Sequence, residues 1–298
     1  MKVGIPRSLV YYYDGVLWKN FFSNLGIKTV ISEPTNKETV KIGESLLDSE
    51  ACLSIKIFIG HVKSLIGKCD YILVPRIFSI EKNEQVCTNF NSLYDITKNL
   101  FPDVKLLNYN IDVDKKKSEV LAYTKLGSEI GASYMASYKA YIDAKNEVKK
   151  YFREKIHEQV KKLSSDKLKI LIAGHPYNIY DEAVGIDIIK YLESENIDVI
   201  YSDLMYRDLY DKYSKNISTD LHFSYNKRVL AAISFFEKQV DGIILLSTFP
   251  CGPDSLSNEM VKRNVRKPLL VIKKESFDMT GVITRCEAFL DILKVKNA

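Results

Sequence analysis

The chain has 298 residues, of which 46% are hydrophobic and 27% charged, with a formal net charge of +5. That is long enough for two ordinary α/β domains or one large one, and the composition excludes disordered and fibrous classes. The positive excess is spread over mixed Lys/Glu stretches, with no RNA-binding motif and no tyrosines set in a basic groove, so nucleic acid is not an expected partner.

The chain opens with a short strand at Lys2 to Pro6. Helical periodicity over Leu17 to Leu25 stops at Gly26, and a strand follows at Lys28 to Ser32. Pro34-Thr35-Asn36 supplies a turn and cap for a helix through Leu47, which completes a βαβ opening. Leu53 to Ile66 reads as a helix ending at Gly67, and Asp70 to Pro75 as a buried strand that delivers Arg76. Cys87 falls in a stretch read as irregular, after the charged turn Glu81 to Glu84. A strand is expected near Leu106 to Asn108, before Lys115-Lys116-Lys117. Ser118 to Leu163 then carries long helical patterning whose small residues, Gly127, Gly131, Ala132, Ala136 and Ala140, predict close helix packing. Its charged tail from Lys145 reads as a solvated face.

A second α/β unit follows. Strands are expected at Lys169 to Ala173, Asp198 to Ser202, Gly242 to Ser247 and Leu269 to Lys273. Helices are expected at Ala183 to Ser194, Lys227 to Lys238, Ser255 to Arg263 and Arg285 to Leu293, with a turn at Gly174-His175-Pro176. Strands separated by helix-length segments predict parallel sheets. The expected architecture is α/β: two Rossmann-like parallel-sheet domains, 1–112 and 167–298, joined by a helical connecting segment at 113–166.

The longest apolar runs, such as Ile243 to Leu246, fall far short of the roughly 18 residues of a membrane span, and Met1 to Arg7 lacks a signal-peptide core. No membrane association and a cytoplasmic location are therefore expected. The five cysteines are odd in number, with no CxxC, which argues against a secreted disulfide framework and leaves a zinc or ferredoxin assignment unsupported.

Ligands of open α/β sheets bind outside the carboxyl ends of the strands, and Arg7, Arg76, His175 and Cys251 all follow such ends. Cys251 stands between a buried strand and a helix start, where the helix dipole favours the thiolate needed for nucleophilic attack or metal ligation. His175 is read either as a ligand-facing donor or as a satisfied turn histidine. No GxGxxG or Walker A pattern is present, so nucleotide binding has little support. A cysteine hydrolase would need a His base and an acyl-transfer motif around Cys251; of the four histidines only His175 occupies a strand-end loop, and the motif is missing.

The segments Lys2 to Arg7, Glu50-Ala51-Cys52-Leu53, Gly60-His61-Val62, Asp70 to Arg76, Cys87, Gly174 to Tyr177, Pro250 to Ser255 and Thr284 to Phe289 occur in order over nearly the whole chain. Together they resemble the stand-alone acyl-CoA dehydratase activase-related proteins, which are similar to the cluster-binding subunits of 2-hydroxyacyl-CoA dehydratases and benzoyl-CoA reductases. The resemblance implies Cys52, Cys87 and Cys251 as ligands of a 4Fe-4S cluster with one iron open, and larger nuclearity stays open for an oligomer. Arg7, Arg76 and His175 would then face the cluster or its ligand, while Cys69 and Cys286 match no ligand position and are expected to be packing residues. A separate ATP-dependent activase is the implied partner, with an unknown small-molecule substrate; a homo-oligomer stays open.

The expected function is low-potential electron transfer or reductive chemistry, as an iron-sulfur reductase or dehydratase-like component. The chain is shorter than the dehydratases and shows no acyl-CoA pocket signature. The alternative is a non-catalytic protein that binds or matures a cluster or small ligand.

Overall fold

A computed structural model describes residues 1–297. The chain divides into two units. The first is Met1–Phe152 with His222–Ser224; the second is Arg153–Leu221 with the chain from Tyr225 onward.

The first unit runs β1 (Lys2–Ile5), α1 (Tyr11–Asn24), β2 (Lys28–Ile31), α2 (Lys37–Leu46), α3 (Leu53–Leu65), β3 (Tyr71–Leu73), β4 (Arg76–Ser79), α4 (Thr88–Leu100), β5 (Leu106–Leu107), β6 (Asn110–Asp112), α5 (Glu119–Glu129) and the start of α6 (Tyr134–Leu163). Its main sheet is parallel, in the order β2-β1-β3-β5. Strands β4 and β6 form a second parallel pair beyond it. The break between β3 and β4 falls at Pro75, which has no N–H to give the ladder. The amides of Val74 and Arg76 on either side still donate to Leu107 and Tyr109 at 2.9 Å.

Local signals explain the helix ends. Asn36 caps α2 by accepting from the Thr39 amide at 2.9 Å, and Gly67 follows α3 with φ +81, the left-handed position that glycine takes freely. Helices α2 and α3 meet backbone to backbone: a Cβ on Gly60 would lie 2.0 Å from the Thr39 carbonyl oxygen, and one on Gly43 would lie 1.8 Å from that of Lys56. The core is closed by aromatics. Tyr123 is fully buried against Phe21, Tyr109 and Tyr141, with ring centroids 5.0–5.2 Å away, and Trp18 donates its indole N–H to the Tyr109 hydroxyl at 3.0 Å.

The second unit runs β7 (Lys169–Gly174), α7 (Pro176–Ile179), α8 (Ile186–Ser194), β8 (Asp198–Tyr201), α9 (Tyr210–Ser214), α10 (Ser224–Phe236), β9 (Gly242–Thr248), α11 (Gly252–Asn264), β10 (Leu269–Lys274) and α12 (Val282–Asn297). All four strands are parallel, in the order β10-β9-β7-β8. β9 is buried at every residue, as a central parallel strand covered on both faces should be. Counted along the chain within each unit, both main sheets have the order 2-1-3-4.

The architecture is the expected mixed α/β with parallel sheets and helices between the strands. Three details differ from the sequence reading. Residues 118–163 form two helices, because the chain breaks at Gly131 with φ +91. Cys87 lies at the head of a 13-residue helix, α4, rather than in irregular chain; that helix buries only Phe90, Leu93 and Thr97, too sparse a stripe to stand out. The β4-β6 pair was not anticipated.

Candidate functional site

In each main sheet the first strand connects to a neighbour on one side and the third strand lies on its other side. The crevice beyond these two strands is the topological switch point, where open sheets take ligands. In the first unit it lies past β1 and β3; Arg7 follows β1, and the chain after β3 passes Pro75 to Arg76, the first residue of β4. In the second it lies past β7 and β9, whose ends deliver His175 and, after the cis Phe249–Pro250 bond, Cys251.

The second crevice is built around a buried carboxylate. Asp254, in the first turn of α11, meets His175 Nε2 at 2.8 Å and accepts from Asn226 Nδ2 at 2.8 Å. Asn226 also reaches Ser257 Oγ at 3.0 Å. His175 is 3% exposed, with Tyr177 stacked on it at 4.9 Å and Tyr225 edge-on at 6.3 Å. Burial pushes the Asp254 carboxyl up. The charge and hydrogen bond of His175, with the bonds from Asn226 and Cys251, outweigh it and hold the group below the usual carboxylate range. Asp254 thus ties the Cys251 thiol and the His175 imidazole to one anion. Cys251 itself is the N-cap of α11, so the helix dipole favours its thiolate while the adjacent carboxylate opposes it.

In the first unit Cys52 occupies the N-cap position of α3 and Cys87 that of α4, each with its carbonyl accepting from an amide of the first turn. Asn89, in the first turn of α4, donates to Cys52 Sγ at 3.7 Å, which joins the two helix heads. The Arg7 amide donates to Ser32 Oγ at 2.8 Å, and the Arg7 charge acts on His61, a buried imidazole bonded to Thr35 Oγ1 at 2.9 Å. Burial first, and Arg7 second, lower the His61 pKa to about 3. Arg76 is engaged by Asp95 at 2.5 Å and lies 5.0 Å over the Tyr94 ring.

The structure therefore connects Cys52 to the head of α4 through Asn89 in the first unit and joins His175 and Cys251 through Asp254 in the second; Arg7 follows β1, while Arg76 opens β4 with its guanidinium held on α4. Cys286 is fully buried, its thiol pushed by desolvation to about 11, and Cys69 donates to the Leu65 carbonyl at 3.4 Å. Sequence reasoning missed three residues. Asp254 was legible as the carboxylate three residues past Cys251 in a helix start. Asn89 and Asn226 carried no signal of their own.

The model of one family, the CoA enzyme activase uncharacterised domain, matches residues 2–205, well over half of the chain. The chain belongs to this family. The matched span of this CoA enzyme activase domain includes Arg7, Cys52, Arg76, Cys87 and His175, while Cys251 lies beyond it. Comparison with curated proteins returns no match. Among solved structures, the substrate-binding protein FpvC from Pseudomonas aeruginosa in complex with Mn2+ is 11% identical over 98% of this chain and 95% of its own, with a TM-score of 0.30. ZnuA is 8% identical over 99% and 98%, with a TM-score of 0.29. Likenesses this weak bear on neither the fold nor the function of this chain.

The donor chemistry suits a thiophilic metal group: three cysteines, each heading a 13-residue helix. Among the described residues no group of three or more His, Cys, Asp or Glu side chains is set to hold a metal ion. Cys52 and Cys87 belong to one unit and Cys251 to the other. No described helix is long and apolar enough to cross a membrane.

Proposed function

We propose that this CoA enzyme activase domain protein is an iron-sulfur protein that carries a 4Fe-4S cluster on Cys52, Cys87 and Cys251. Its role is low-potential electron transfer or reductive chemistry on a small substrate, with an ATP-dependent activase as its electron-supplying partner. The supporting observation is that all three cysteines head helices, where the N-terminal dipole stabilises thiolate over thiol. When bound, such a group supplies one-electron redox chemistry and an open iron.

The chain's own residues do the rest. Asp254, bonded to both the Cys251 thiol and His175, would orient the Cys251 sulfur toward the group. Asn89 orients Cys52 by donating to its sulfur. Arg7 would supply positive charge beside β1, and His175 would act through its bond to Asp254.

Anaerobic reconstitution followed by metal and sulfide analysis tests the reading. About four iron and four sulfide per chain, with a broad thiolate-to-iron absorbance that bleaches on reduction, are expected. Cys52→Ala, Cys87→Ala and Cys251→Ala should each remove most of that absorbance, while His175→Ala should retain the iron. Stoichiometric zinc without iron, or an unaltered spectrum in Cys251→Ala, overturns it.

A further inference from the structure

The lysine run at 115–117 lies in the turn that follows β6. The turn that follows β6 is closed by reciprocal backbone bonds between Asp112 and Lys117, at 2.9 and 2.8 Å. It is braced by Ser79, whose hydroxyl donates to Asp112 Oδ1 at 3.3 Å. Within this fixed turn the three lysines part company. Lys115 is held by Asp112 at 3.4 Å and lies 5.4 Å over the Phe78 ring. Lys116, held at φ +58, and Lys117 instead line a cavity of about 210 Å³ with Lys125, Asn108, Asn110 and Leu121. Among the described residues none of Lys116, Lys117 and Lys125 is in an ion pair. Glu129 is the one carboxylate on the cavity wall.

Lys116, Lys117 and Lys125 line one recess against the single carboxylate of Glu129, so its wall carries a net positive charge that an anion relieves. The volume suits a group a few heavy atoms across. The excess of ammonium and amide donors over acceptors matches phosphoryl oxygens, which accept several hydrogen bonds at once. We infer that this recess, formed by the turn after β6 and the exposed face of α5, binds a phosphoryl-bearing anion. The inference is independent of the cluster reading: it uses the first unit alone and none of the cysteines.

Isothermal titration of the purified protein with pyrophosphate, at constant ionic strength near 0.1 M, tests it. Saturable binding is expected, weakened at least about tenfold by the double variant Lys117→Ala/Lys125→Ala and several-fold by raising the salt to about 0.4 M. The control Lys149→Ala/Lys150→Ala changes net charge equally at two exposed positions of α6 and should stay within about twofold of the parent. All four lysines are exposed, so both variants should fold, with thermal melts to verify it. Equal loss in the control, or no saturation by about 10 mM pyrophosphate, overturns the site.

Discussion

Asp254 is the residue on which the second unit's crevice turns, since one oxygen serves both His175 and Asn226 in a buried setting. Asp254→Ala strands two buried donors at a cost of about 1–3 kcal/mol each, and thermal melting should drop by about 3–10 °C. Asp254→Asn, which keeps the shape and an acceptor, should lose less. Melts of the two variants indistinguishable from the parent would show that the network contributes nothing to stability. Thiol chemistry gives a second test. Cys286 is buried with its thiol raised to about 11, so its thiolate fraction near neutrality is lower than that of an ordinary thiol by about two orders of magnitude. Alkylation followed by peptide mass mapping should find Cys286 at least about a hundredfold slower than Cys52 and Cys87 in the metal-free protein.

At the scale of elements, the packing of α2 on α3 has no slack. Gly60→Ala drives a methyl to 2.0 Å from a backbone oxygen that cannot swing aside, so the helices must separate. Overpacking of this kind costs upward of about 3 kcal/mol, and soluble yield and melting temperature should both fall sharply. Gly252→Ala is the contrasting case: a Cβ there meets nothing within 4 Å, and the residue opens α11 directly after Cys251. It should fold with unchanged or slightly raised stability, as measured by chemical denaturation. The close helix packing expected from the small residues is present, and its partners are α5 and α6, at Gly127 against Ser137. By contrast α4, with three buried residues in thirteen, had too little apolar periodicity to be read, and so Cys87 was recognised without its helix.

Over the whole molecule, two buried groups act with opposite sign on stability between pH 4 and 6. His61 has its pKa lowered to about 3, so the unfolded chain takes up a proton that the folded chain refuses, and stability falls as pH drops from about 6.5 toward 3. Asp203, which accepts from the Tyr180 hydroxyl at 2.9 Å, is raised by desolvation to about 6. The folded state binds its proton more tightly there, so stability falls as pH rises from about 4 to 6. Each group contributes a slope of at most about 1.4 kcal/mol per pH unit, and between pH 4 and 6 the two partly cancel. Denaturant titrations across pH 4–6 should therefore find a steeper acid loss in Asp203→Asn than in the parent, and a slope of reversed sign in His61→Gln. Parallel slopes in all three proteins would refute both assignments.

Strand and helix succession, the parallel class and the placement of Arg7, His175 and Cys251 after strands could be read from the residues alone, whereas Arg76, expected past a strand end, opens β4. Each follows from local periodicity and from turn residues adjacent in the chain. The pairing of β4 with β6 could not, because those strands are short and Pro75 conceals their continuity with β3. Nor could the bonds from Asn89 to Cys52 or from Asn226 to Asp254, which span 37 and 28 residues and exist only once separate helices have packed. The division of three consecutive lysines between an ion pair and a cavity likewise depended on the turn that fixes them. Their chemistry is identical in sequence, and the direction of the backbone distinguishes them.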